Sequence, residues 1–202
     1  MIWSQSRNGT AIDLLDPRPE QVDFREIADT LAFINRYNGC TFQPVSVALH
    51  TLIVIDIAPD FAKPYAALHD APEARLGDQS RPFIAALLAQ IETIGGDEAA
   101  RAAKLANDRL HKRHFHAIRQ AAGLPPPTRE IEAEVKRADD IALMTERKWF
   151  MAHPERTWDP HLEALVPQIP KTPYRWKAPD KCADALYERF LQLLPSLRKR
   201  AA

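Results

Sequence analysis

Cysteine is nearly missing: Cys40 and Cys182 are the only two in 202 residues. They form neither a disulfide framework nor a zinc-knuckle spacing, which points to a reducing compartment. No stretch reaches the ~18 apolar residues that a membrane span needs. Charge of one sign does not predominate either, with 27 Lys and Arg against 27 Asp and Glu. A nucleic-acid binder of this size normally carries a basic excess, so that class is disfavoured. The opening Met1–Arg7 has no basic run feeding an apolar one, which argues against export. The expectation is a cytoplasmic chain with neither a membrane nor a nucleic-acid partner. What is present is ordinary for a folded domain: 46% hydrophobic and 27% charged residues, in a length that suits one domain over 1–202 with a substantial core.

The patterning predicts a mainly α architecture. Asn8-Gly9 is a strong turn signal between Ile2-Trp3 and Ile12/Leu14, so residues 2–14 read as a small β-hairpin. Val22, Ile27, Leu31 and Ile34 then supply the apolar stripe of a helix. Residues 45–58 are apolar almost all round; fourteen residues is long for a strand, so this run is expected to be a buried helix. Short helical pieces follow over 61–69 and 71–76, with Pro72 suited to a first turn. Longer helices are expected over about 97–122 and 128–150, the second with a stripe of Ile131, Val135, Ala138, Ala142 and Trp149. A Pro-rich segment runs from Pro154 to Pro179, with a helical turn near 161–166. A last amphipathic helix spans about 180–195.

Chemistry concentrates in Leu68-His69-Asp70-Ala71-Pro72-Glu73. A buried imidazole and carboxylate need compensation, and a divalent cation takes both as ligands. Glu73 lies one helical turn beyond, at the spacing where side chains share a face. By itself, His50 reads as a core histidine and Asp139 as an ion-pair partner. Together with His69 and Asp70 they make a set of two imidazoles and two carboxylates. That set suits one divalent ion: Mn²⁺, Co²⁺, Mg²⁺, Fe²⁺, Ni²⁺ or Zn²⁺. Helical bundles build such sites from inward-facing side chains on several helices. His111, His114 and His116 are expected on a solvated helix face, and His153 and His161 at the periphery.

These residues resemble the HD-domain metal-dependent phosphohydrolases, whose pattern is a His, a His-Asp pair and a distant Asp. Asn35-Arg36-Tyr37-Asn38-Gly39, Ser46–His50, Leu68–Ala74, Leu76-Gly77-Asp78 with Arg81-Pro82, and Ala138-Asp139 with Thr145-Glu146 occur in the same order. They are similar to the 5′-deoxynucleotidase-like branch, whose relatives include phage deoxyadenosine triphosphate hydrolases. The likeness covers about residues 12–150. It implies an HD-type helical bundle in which His50, His69, Asp70 and Asp139 hold one metal ion. It further implies that Glu73 positions or deprotonates the attacking water, Arg36 contacts phosphate and Asp78 meets the sugar 3′ hydroxyl. Tyr37 stands near the sugar, where relatives often carry Trp or Phe. Cys40, Val45 and Leu49 replace residues common in the branch, and Pro72 is unusual there. These departures bear on substrate identity more than on the metal.

The expected activity is therefore a 5′-nucleotidase that releases phosphate from (deoxy)nucleoside monophosphates. Two rivals remain: a deoxynucleoside triphosphate triphosphohydrolase, and a metal- or nucleotide-binding module without turnover. The triphosphate reading needs extra cations, for which Lys63, Arg75, Arg81, Lys104 and Lys112 are candidates. Glu73 argues against the module, since a pure binder has no need of it. A homodimer is also expected, because Trp158, Tyr174 and Trp176 are aromatic residues in the Pro-rich region.

Overall fold

Helix α2, Val47–Ile57, is the axle of the molecule, and its sequence explains why. Every residue from Val47 to Ile55 is buried, including His50 and Thr51. Ser46 starts it by accepting the Leu49 N–H at 3.1 Å, the usual role of a helix-capping serine. With no polar face to offer solvent, such a helix is stable only when covered all round. α1 (Phe24–Phe33), α6 (Arg129–Phe150) and α8 (Pro179–Leu193) provide that cover. A computed structural model describes residues 2–168 and 177–201.

α1 is capped by Asp23, which accepts from the Arg25 and Glu26 N–H groups, and it buries Ile27, Ala28 and Leu31. Phe24 meets Phe190 of α8 edge-on, with centroids 5.9 Å apart. Two single turns, α3 (Lys63–Ala66) and α4 (Glu73–Leu76), carry the chain away from α2. The expected piece over 61–69 is thus shorter than predicted, and residues 67–72 form turns. Pro72 precedes the first turn of α4, where its missing N–H costs nothing. Gly77 ends that turn at φ 78°.

α5 runs from Arg81 to Ala121 and is broken at Gly96 (φ 79°, ψ 173°). The helix expected from about 97 is its second limb; the first limb, residues 81–95, extends the element beyond the predicted start. Thr128 caps α6. On α6, Ala138 and Ala142 are buried as expected, but Trp149 is exposed and Phe150 takes the core position. α7 is a turn at Pro160–Glu163, and α9, Pro195–Ala201, follows α8.

The N-terminal hairpin pairs β1 (Trp3–Gln5) with β2 (Ala11–Asp13), Ser4 opposite Ile12. Only Ile12 of its apolar residues is buried; Ile2 and Trp3 are exposed. The protein is thus mainly helical, with a two-stranded antiparallel N-terminal hairpin. Among the described residues, no helix is long and apolar enough to cross a membrane.

Candidate metal centre

Three segments that are far apart in sequence converge beside α2. His50 comes from the middle of α2, His69 and Asp70 from the turn between α3 and α4, and Asp139 from α6. His50 Nε2 lies 3.2 Å from His69 Nε2, 3.4 Å from Asp70 Oδ2 and 3.2 Å from Asp139 Oδ1. His69 Nε2 is 3.1 Å from the same Asp70 oxygen. Ligands about 2.1 Å from one cation, at right angles to each other, stand about 3 Å apart. The donor spacings match that pattern. His50, His69 and Asp139 each offer an atom within 4.8 Å of the others, so this group can hold a metal ion. Asp70 adds a fourth donor close to both imidazoles.

The far side of each imidazole is also committed. His50 Nδ1 sits 2.7 Å from Glu146 Oε1, and His69 Nδ1 sits 2.7 Å from the Ala66 carbonyl. Both partners are acceptors, so both Nδ1 atoms carry the proton and donate it. The two Nε2 atoms are then turned toward one point, the position from which a histidine binds a metal once Nε2 is deprotonated. Burial and Arg36 oppose protonation of His50, yet Glu146 and Asp139 raise it to about 10. Without an ion the second proton sits on Nε2, and it must leave before His50 can act as a ligand. Burial alone would raise Asp70, but His69, His50 and Arg36 bring it down to about 2.

Glu146 is the residue to which sequence reasoning assigned no role. It is fully buried, and it accepts from His50 Nδ1, from Arg36 Nε at 3.1 Å and from the Tyr37 hydroxyl at 2.5 Å. Burial pushes its carboxyl up, but His50 and Arg36 outweigh this and hold it below the ordinary value. A signal was available: Glu146 lies seven residues after Asp139 on α6, two turns along the same face.

Arg36 and Tyr37 reach this carboxylate because the preceding loop is pinned. Arg36 N–H donates to Val45 O at 2.8 Å, Val47 N–H to Ile34 O at 2.9 Å, and Phe42 N–H to Phe150 O at 2.8 Å. Tyr37 and Asn38 have φ of 57° and 51°, the left-handed region that side-chain-bearing residues seldom enter. Such strain persists only where surroundings over-determine it; here the phenol–Glu146 bond and packing of Tyr37 against Leu143, Met144 and Leu162 do so. Arg36 also comes within 3.5 Å of Asp70, which puts the guanidinium on the same side of the domain as His69. The Tyr37 hydroxyl is directed at Glu146.

Glu73 and Asp78 share the electrostatic field of this cluster. Burial is the main reason that Glu73 is pushed up to about 9, with Asp70 and Asp78 adding to it and Arg36 opposing. One carboxylate oxygen of Glu73 is buried without a hydrogen-bond partner. Asp78 is raised by burial, with Arg36 opposing and Asp70 adding.

The cations considered for a triphosphate are largely engaged elsewhere. Arg75 pairs with Glu26 at 3.2 Å, both nearly buried; Lys63 pairs with Asp60, and Lys104 with Asp108. Arg81 lies within 3.3 Å of Asp139 and 3.2 Å of Asp140, and Lys136 also bonds both. These two cations hold the outer oxygen of Asp139 and leave Oδ1 toward His50.

The expectation of a solvated face for the α5 histidines fails at His114. It is buried, and its Nε2–H donates to the Leu14 carbonyl at 3.1 Å. The N-terminal hairpin folds back over that turn of α5, which a local pattern cannot reveal. His111 is half-buried, and His116 bonds Arg119. His153 and His161 are exposed as expected. Trp158 lies under Arg147, whose guanidinium is 4.7 Å from the ring centroid; Tyr174 and Trp176 lie outside the described residues.

No protein-family model matches this chain. It is similar to an uncharacterised protein of Rhodobacter capsulatus, with 39% identity over 94 residues, 42% of this chain and 48% of that protein. The chain thus spans about half the length of the curated relative that it matches.

Proposed function

We propose that this protein is a metal-dependent phosphohydrolase of the HD-domain kind, acting on nucleotides. Its preferred reaction is release of phosphate from (deoxy)nucleoside monophosphates. The observation that carries the reading is the convergence of His50 Nε2, His69 Nε2, Asp70 and Asp139 from three segments, with both imidazole Nδ1 atoms tied to acceptors. The donor set fits one divalent cation of the Mn²⁺, Co²⁺, Mg²⁺, Fe²⁺, Ni²⁺ or Zn²⁺ series. When bound, such an ion lowers the pKa of water and polarises a phosphoryl oxygen.

The chain's own groups divide the remaining work. Arg36 is held edge-on by Glu146 through Nε, so its terminal nitrogens face the cluster and suit a phosphate oxygen pair. Glu73, with one oxygen unpartnered, is the group to orient the attacking water, and a cation bound beside it would favour the ionised carboxylate that can accept the proton. Asp78 takes a sugar hydroxyl. Tyr37 shapes the sugar end through its ring while its hydroxyl is spent on Glu146. Engagement of Lys63, Arg75 and Lys104 in their own ion pairs favours a monophosphate over a triphosphate.

The test is a screen of nucleoside mono- and triphosphates against each divalent metal, with phosphate and tripolyphosphate read separately. The expected result is metal-dependent phosphate release from monophosphates that disappears in His69→Ala/Asp70→Ala. Tripolyphosphate as the product would shift the assignment to a triphosphohydrolase. Metal binding without turnover on any nucleotide would leave a binding module.

A further inference from the structure

Glu73 has to be aimed by its backbone. One of its carboxylate oxygens is buried without a hydrogen-bond partner among the described residues, so no donor holds that oxygen in place. The backbone that carries it is α4, a single turn that follows Pro72 and stops at Gly77. A lone turn is not stable on its own, because its few hydrogen bonds do not offset the entropy of fixing its dihedrals. Its direction therefore depends on what fastens it to the rest of the domain.

That fastening is Arg75. Around a helical turn, positions 73 and 75 are about 160° apart, so the two side chains leave on nearly opposite faces. Glu73 lies in the field of Asp70, Asp78 and Arg36, while Arg75 reaches away from them to Glu26 of α1. Arg75 Nη1 donates to Glu26 Oε1 at 3.2 Å, and Nη2 to Oε2 at 3.4 Å. A two-pronged contact of this kind fixes orientation as well as distance. The two side chains are only 7% and 5% exposed, so water hardly competes for the pair. Glu26 is itself held twice. It sits in the first turn of α1, where Asp23 accepts its N–H, and it accepts the Arg7 N–H at 2.6 Å from the end of the hairpin.

We propose that Glu26 and Arg75 are positioning residues: their buried pair fixes the rotation of α4 and so holds Glu73 toward the metal-type donors. Neither is among the groups gathered around His50 Nε2, and Arg75 serves turnover here without touching substrate. The N-terminal hairpin backs the same arrangement through Arg7. The proposal rests on the phosphohydrolase reading for what Glu73 does, but not for how α4 is held.

Arg75→Gln, Arg75→Lys and Glu26→Gln test it in the full chain, each alone and with Glu73→Ala, using Mn²⁺ or Co²⁺ and a panel of nucleoside monophosphates. Arg75→Gln should lower kcat by up to ~10²-fold, the effect of misplacing a reacting group by about 1 Å. KM and metal stoichiometry should stay at parental values. Arg75→Lys keeps the charge but loses the fork, so it should be intermediate, and it carries the test if the glutamine variant does not fold. With Glu73→Ala in place, the same substitutions should lower kcat no further, because residues that act through one group are not additive. An equal loss in that background would mean that Arg75 acts on the fold and would overturn the proposal, as would parental kcat in the folded single variants. A second readout needs no turnover. The Leu76 and Gly77 N–H groups bond the Pro72 and Glu73 carbonyls at 3.0 and 2.8 Å, and their hydrogen exchange should quicken in Arg75→Gln. Glu163 and Ala164, in the separate α7 turn, should exchange at parental rates. If the parent releases no phosphate, the phosphohydrolase reading fails and exchange alone decides: quickened α4 amides support the positioning pair, and unchanged ones overturn it.

Discussion

Glu146 holds three donors from three places with one carboxylate: a metal-type imidazole, a guanidinium and a phenol. Burying an ionised carboxylate costs several kcal/mol unless such bonds repay it. Glu146→Gln keeps the shape but removes the charge that fixes the His50 proton on Nδ1 and balances Arg36. Losing a hydrogen-bond partner behind a ligand typically weakens metal binding ~10–100-fold. A chelator-competition titration should register that drop while Leu-rich core packing, read by circular dichroism, is kept. Parental affinity would remove Glu146 from the positioning role. Glu73 makes the opposite prediction. It is not among the residues whose donor atoms lie within 3.4 Å of His50 Nε2, so Glu73→Ala should bind metal with parental stoichiometry while turnover falls ~10²–10⁴-fold. Metal analysis and phosphate release on the same sample separate the two effects, and turnover at the parental rate would exclude Glu73 from the chemistry.

At the scale of elements, the hairpin and α5 are joined through His114. Burial lowers its pKa; the Leu14 carbonyl opposes this, and Arg75 and His111 lower it further. The native state therefore binds fewer protons than the unfolded chain, in which histidine titrates near about 6.5. Stability from this group is complete above that value and is lost as pH falls through and below it. His111, also depressed by burial, acts with the same sign. Urea unfolding at about pH 7.5 and pH 5.5 should show the parent losing stability at the lower pH, and His114→Gln losing less. Equal losses would mean that the histidine does not carry this dependence. The nearby Arg75–Glu26 pair, with Glu26 also accepting the Arg7 N–H, ties the same hairpin to α1 and α4.

For the whole molecule, an ion held by the metal-type donors would act as a clasp. α2, the α3–α4 turn and α6 have no covalent shortcut between them, so an ion held by all three stabilises the native state and not the unfolded one. Such linkage is worth about 2.7 kcal/mol when the free ligand is 100 times its dissociation constant. The parent chain should accordingly melt at a higher temperature with a bound divalent ion than in chelator. His69→Ala/Asp70→Ala should melt at the same temperature in both. Calorimetry of the four samples decides this, and an equal metal-induced rise in the variant would relocate the ion.

Local pattern determined the helices whose positions are set by nearest neighbours. The apolar run at 45–58 is long for a strand and forms the covered helix Val47–Ile57, and Asn8-Gly9 turns the hairpin. His50, His69, Asp70 and Asp139 stood out because their residue types are costly in a core without a shared partner, and the structure places His69, Asp70 and Asp139 within 3.4 Å of His50. What local pattern left open was decided by contacts across more than about 90 residues. Glu146 meets Arg36 from 110 positions away, Tyr37 spends its hydroxyl on that carboxylate, and His114 disappears beneath Leu14 from 100 positions away. Periodicity says which side of a helix is apolar. Only packing says which foreign chain segment arrives there, and that arrival sets burial, hydrogen-bond partner and proton affinity together.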